Sequence, residues 1–220
     1  PRRQRQMCIR DRYILTMNYL YQGDIPKNIK FANSIAIDTE AMGLKNSRDR
    51  LCLVQISSGD NASHLIQVGA DFGYSAPNLK SLLKDNSIQK IFHFARFDLA
   101  IIKKYLGVLP TNIYCTKIAS KLARTYTDKH GLRELCKELL NIEISKQQQS
   151  SYWGGTKLTK NQIKYASNDV LYLHQIKKEL DAILDREKRS HLLSPILKFL
   201  PTRVKLDLQG WDNLDIFSHS

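Results

Sequence analysis

Strand-type sequence gathers at the front of this chain. Short apolar runs bounded by polar or turn residues fall near 34–38, 51–56, 63–68 and 89–93. Helical periodicity breaks in near 77–84 and then takes over, at 97–106, 116–123, 131–140, 159–185 and 190–200. Early strands followed by many helices predict an α/β domain in which a mixed sheet is flanked by helices. A chain of 220 residues that is 42% hydrophobic can bury one good core, and no internal repeat or low-complexity tract asks for a second large domain.

Three acidic segments fall in order on this frame: Asp38-Thr39-Glu40, His93-Phe94-Ala95-Arg96-Phe97-Asp98 and Tyr165-Ala166-Ser167-Asn168-Asp169. Magnesium-type cations are hard and keep several waters, so a nucleic-acid hydrolase supplies a few carboxylates and leaves the rest of the shell to substrate phosphate and water. The set therefore points to a two-metal phosphodiesterase site. Side chains alternate along a strand, which sends Asp38 and Glu40 the same way at the end of the run Ser34–Ile37. On a helix, Tyr165 and Asp169 share a face. There Ile163, Ala166, Val170 and Leu173 form an apolar stripe, with Tyr165, Asp169, Tyr172 and Ile176 in a second stripe beside it. Asp169 thus sits at a core boundary. Thr159 and Gln162 have capping-box spacing and start this helix. The polar, glycine-containing stretch 145–157 reads as a loop near the site. His93 reads as a packing or hydrogen-bonding residue, because a carboxylate-rich magnesium site has no need of imidazole.

These residues resemble the ribonuclease D group of 3′–5′ exonucleases, within the class named for four acidic residues and a tyrosine. The likeness extends through Ile37–Glu40 with Gly43-Leu44, Arg50–Ile56, the block from His93 to Asp98, Cys115–Lys117, Gly131-Leu132 and Leu158–Val170, and covers about residues 14 to 185. Short bacterial forms match best. Many relatives carry Asp before the tryptophan where this chain has Tyr152 before Trp153. The resemblance implies a ribonuclease H-like exonuclease fold and hydrolysis of RNA from a free 3′ end to nucleoside 5′-monophosphates, in processing of tRNA or other structured RNA. It also implies two divalent metal ions, Mg2+ or Mn2+. Asp38, Glu40 and Asp169 would hold one ion, Asp38 and Asp98 the other, and Tyr165 would orient the attacking water. Thr39, Met42, Gly43, Leu44, Gln55 and His93 are assigned to the substrate, with the glycine allowing close backbone approach; Met42 and Leu44 suit core packing equally well. Lys157, Lys160 and Lys164 either track phosphates or form a solvated helix face. A DNA 3′–5′ exonuclease is the alternative, with single-stranded DNA as its partner, and a catalytically inactive nucleic-acid-binding module is a third reading.

Charge agrees with a polyanionic partner. Lys and Arg number 34 against 21 acidic residues, a formal charge of +13, with pI near 9.6. Residues 1–12 hold five Arg and one Asp, leaving +9 for the remainder. That stretch does not resemble the family and is expected to be a non-native or disordered leader. The exonuclease domain is expected over 13–185. A C-terminal helical extension should follow over 186–220, too short for the HRDC domain of longer family members. Cys8, Cys52, Cys115 and Cys136 are widely spaced with no Cys-x-x-Cys pair, which argues against zinc and against a disulfide framework. Cys52 and Cys136 lie in apolar patterns and read as small core residues. No apolar stretch approaches the roughly 20 residues that span a bilayer, so the chain reads as cytoplasmic, without a membrane partner.

Overall fold

The computed structural model describes residues 16–46, 48–145 and 147–219; the leader expected over 1–12, and Cys8 within it, lie outside them. The chain runs β1 (Met17–Gln22), β2 (Ser34–Ala41), β3 (Leu51–Ser57), β4 (Ala62–Gln67), α1 (Pro77–Lys84), β5 (Gln89–Phe92), α2 (Ala95–Leu106) and β6 (Ile113–Cys115). Helices α3 (Thr116–Ala123), α4 (Leu132–Leu140), α5 (Lys160–Leu171), α6 (Leu173–Arg186) and α7 (Ser190–Leu206) complete it. The six strands form one sheet in the order β1-β4-β3-β2-β5-β6. β3 is antiparallel to β2 and β4, while the pairs β1/β4, β2/β5 and β5/β6 are parallel. This is the mixed sheet with flanking helices that the pattern predicts.

Alternation along β2 divides the interior in two. Ile35 and Ile37 join Val54, Ile56 and Ile66 with Leu79, Leu83, Leu99 and Ile102 of α1 and α2. Ala36 turns the other way, into a cluster with Ile91, Leu135, Cys136, Val170, Leu173, Ile176 and Leu180. Leu53 and Leu65 extend that second face beneath α5, against Ala166 and Trp153. Cys52, Cys115 and Cys136 are free and buried, as small apolar groups would be.

Four features depart from the sequence pattern. β1 and β6 are strands by pairing and not by their own periodicity. β1 is an edge strand with most of its side chains exposed, and β6 has three residues. The helix expected over 159–185 is two helices meeting at Tyr172, because α5 packs on β2, β3 and β4 while α6 packs on α3, α4 and β5. α7 runs on through Pro201 to Leu206, beyond the 190–200 expected from the pattern. Val204 is fully buried in the α1–α2 core, and Arg203 pairs with Asp207 at 3.0 Å, so packing carries the helix beyond the proline.

Candidate active site

Asp38 and Glu40 leave the end of β2 on the face that α5 covers. Just past Glu40 the β2–β3 register shifts, so the ladder opens where the carboxylates emerge. α5 begins with the expected capping box: the Thr159 hydroxyl accepts from the Gln162 amide N–H, and the Gln162 side chain accepts from the Thr159 N–H. Started there, α5 lays Ala166 and Val170 into the core and brings Asp169 over β2. One carboxylate oxygen from each of Asp38, Glu40 and Asp169 can be chosen so that all three lie within 4.8 Å of one another.

Asp98 approaches from the other side of β2. Phe94, in the left-handed conformation (φ 68°, ψ 45°), turns the chain sharply from β5 into α2 and puts Asp98 in the helix's first turn. The carboxylate is only 3% exposed and accepts a 2.6 Å hydrogen bond from the Thr39 hydroxyl. Thr39, assigned to the substrate from the sequence, is itself buried, and its hydroxyl donates to Asp98.

Crowding marks the electrostatics of this site. Burial pushes the Asp38 carboxyl from its ordinary 3.8 up to about 7, against a backbone hydrogen bond at Thr39 that favours the ionised form. Glu40 is pushed well above the usual carboxylate range by burial and then by the charges of Asp38, Asp169 and Asp98. Asp169 and Asp98 are raised first by burial and next by Asp38. Among the described residues no Lys or Arg side chain forms an ion pair with any of the four. Four oxygen donors with unbalanced negative charge are suited to hard divalent cations. Burial, followed by the charges of Asp169, Glu40 and Asp38, raises the Tyr165 hydroxyl, which stays protonated.

The other expected residues divide. Leu44 is 87% exposed, which rules out core packing for it, and Met42 is also on the surface. A Cβ at Gly43 would press on the Asp49 carboxylate, so a larger residue there would have to displace that side chain. Asp49 in turn accepts from the Lys45 backbone at 2.9 Å and from Arg48. Gln55, expected along the cleft, has 0% exposure and lies opposite Asp38 in the sheet. His93 shares a 2.8 Å hydrogen bond between Nδ1 and the Thr116 hydroxyl, which also donates to the Phe92 carbonyl. Burial, then Lys117, lowers its pKa to about 3, so the ring is neutral. Lys157, Lys160 and Lys164 are exposed.

Sequence reading missed how the 145–157 loop is held. Trp153 is buried and packs on the Tyr165 ring with centroids 6.1 Å apart. Arg50 donates to the Gly154 carbonyl at 3.1 Å, Gln67 to the Gly155 carbonyl at 3.2 Å, and Gln162 to the Tyr152 carbonyl at 3.1 Å. A tryptophan in an otherwise polar stretch was the available signal. Phe94, 45% exposed with Lys117 Nζ 4.2 Å from its ring centre, was passed over as well.

A mixed six-stranded sheet with three carboxylates converging from a strand end and a covering helix, and a fourth beside them, defines a ribonuclease H-like 3′–5′ exonuclease domain. The family profile described as 3′-5′ exonuclease matches residues 23–185, and the chain belongs to that family. Brucella melitensis NrnC, solved bound to pGG, is similar at 50% identity and a TM-score of 0.89, over 93% of this chain and 100% of that one. The same protein with bound Mg2+ superposes at a TM-score of 0.88. Ribonuclease D of Pseudomonas paraeruginosa is 33% identical over 161 residues, 72% of this chain and 41% of that protein, so the chain spans less than half of that relative. The Escherichia coli RNase D structure, at 23% identity and a TM-score of 0.74 over 86% of this chain and 51% of that one, shares the fold.

Proposed function

We propose that this chain is a metal-dependent 3′–5′ exoribonuclease that hydrolyses the terminal phosphodiester of RNA and releases nucleoside 5′-monophosphates. The observation that carries this reading is the convergence of Asp38, Glu40 and Asp169, with Asp98 alongside, in a partly buried setting where no described Lys or Arg pairs with them. Asp38, Glu40 and Asp169 would hold one divalent ion, and Asp38 with Asp98 a second. Mg2+ bound to the 50% identical NrnC supports magnesium as the resident ion. When bound, the ions supply Lewis acidity toward water and charge neutralisation at the scissile phosphate.

The chain's own groups do the positioning. The protonated Tyr165 hydroxyl holds the attacking water by a hydrogen bond, braced by the ring contact with Trp153. Thr39 fixes the orientation of Asp98. Leu44 and Met42 offer exposed apolar surface to the terminal base and sugar. The neutral His93, tied to Thr116, takes no proton at working pH.

The pGG in the NrnC structure supports short RNA as the occupant, and a two-nucleotide RNA is the smallest substrate with one bond to cut. The three buried free cysteines suit a reducing, cytoplasmic setting, and no helix among the described residues is long and apolar enough to cross a membrane. Gel-resolved digestion of 5′-labelled RNA and DNA of matched sequence, with Mg2+ or EDTA, tests the reading. A ladder shortening from the 3′ end, abolished by EDTA and by Asp169→Asn, supports it. Products that keep an intact 3′ end, or digestion indifferent to EDTA, would overturn it, and faster loss of the DNA strand would favour the DNA exonuclease.

A further inference from the structure

Gln55 is buried beside the acidic cluster with nothing to bond to. Neither its Nε2 nor its Oε1 has a hydrogen-bond partner, and no part of the residue reaches solvent. Its place is set by two ladders, which put it directly opposite Asp38 of β2 and Leu65 of β4. Residues opposed in antiparallel strands project on the same face from Cβ atoms about 5 Å apart. The carboxamide and the Asp38 carboxylate therefore rise side by side beneath α5, which packs on both strands.

Folding alone does not account for an amide here. The same face carries Leu53, Leu65, Ala166 and Trp153, and a leucine or methionine would fill the position without stranding two polar groups. Other side chains of this seam are used at least in part: the Ser63 hydroxyl donates to Ser167 Oγ at 2.8 Å, and Gln67 Nε2 donates to the Gly155 carbonyl although its Oε1, like Trp153 Nε1, is unpartnered; among the described residues Gln55 alone has both ends of its amide unpartnered. A bond that forms in another state of the site explains Gln55. We propose that it is a positioning residue for Asp38. With divalent cations in the cluster, its Nε2–H donates to an Asp38 carboxylate oxygen, directly or through one ordered water, and holds that carboxylate in its ligating orientation. The terminal torsion of glutamine is soft, so the amide turns at little cost. This inference rests on the reading of Asp38 as a metal ligand.

The variants Gln55→Met and Gln55→Leu, stripped with EDTA and titrated with Mn2+ alone by calorimetry, test it. Both should fold and melt at or above the wild-type temperature without metal, since each removes a stranded amide. Mn2+ affinity should fall about 10-fold to 100-fold, the usual cost of losing a group that orients a ligand. At saturating metal, KM for a short RNA should stay within 2-fold while kcat drops. Unchanged Mn2+ affinity, or a raised KM with kcat intact, overturns the inference, the second result in favour of substrate contact. Failure of both variants to fold overturns it too, because the amide would then be structural. Absence of metal binding by the wild-type protein would fail the metal reading itself, and this inference with it; binding that the variants share fails the inference alone.

Discussion

Asp38→Asn should make the metal-free protein more stable at pH 8 and leave it nearly unchanged at pH 4. Burial raises the Asp38 carboxyl from 3.8 to about 7. Because the folded value lies above the unfolded one, the group's stabilising contribution is complete only below the unfolded value. It is lost as pH climbs from about 4 through about 7. Asparagine carries no charge at any of these values and loses nothing. Three units at about 1.4 kcal/mol each set a ceiling of about 4 kcal/mol. The site is half-open to water and shares its charge among four carboxylates, so a gain of about 1–2 kcal/mol is the expected size. For a chain of this length that is about 2–8 °C in Tm. Thermal melts of both proteins in EDTA, from pH 4 to pH 8, read the gap directly. Added Mn2+ should reverse the order at pH 8, because only the wild type binds it tightly and binding to the native state stabilises it. A variant no more stable than wild type at pH 8, or a gap that is flat across the range, would refute the claim that uncompensated charge burdens this site.

Tyr165→Phe should slow turnover while keeping Mn2+ affinity, since it removes a hydrogen bond to water and no ligand; calorimetry beside kinetics decides it, and lost metal binding would point to a ligating or structural role. Thr39→Val removes the 2.6 Å donor to Asp98 and leaves that buried carboxylate short of one bond. A loss of about 1.5–3 kcal/mol, or roughly 13-fold to 160-fold in kcat/KM, is expected with the circular dichroism spectrum unchanged. A single 2′-deoxy residue at the 3′ terminus should slow the first cleavage by roughly 2-fold to 13-fold, the worth of one hydrogen bond, as read by single-turnover digestion.

How much of this was written in the chain follows the range of the forces involved. Alternation along Ser34–Glu40 put Asp38 and Glu40 on one face, and the structure keeps them there because neighbouring side chains on a strand can point in only two directions. The capping box at Thr159 and Gln162 and the spacing of Tyr165 from Asp169 were equally legible, since both lie within one helical turn. No local pattern could say that α5 would cross β2 and deliver Asp169 to Asp38, or that Asp98 would lean on Thr39 from the opposite face; those contacts join residues 131 and 59 positions apart in the chain. Gln55 shows the same limit, since its motif suggested a cleft residue and the β2–β3 register buried it against Asp38. β1 became a strand because β4 offered an open edge, and the helix expected over 159–185 broke at Tyr172 because its two halves had different surfaces to cover. Period and capping act over a few residues, so the sequence determined them alone; pairing, register and burial depend on which distant segments meet, and the tertiary structure decided those.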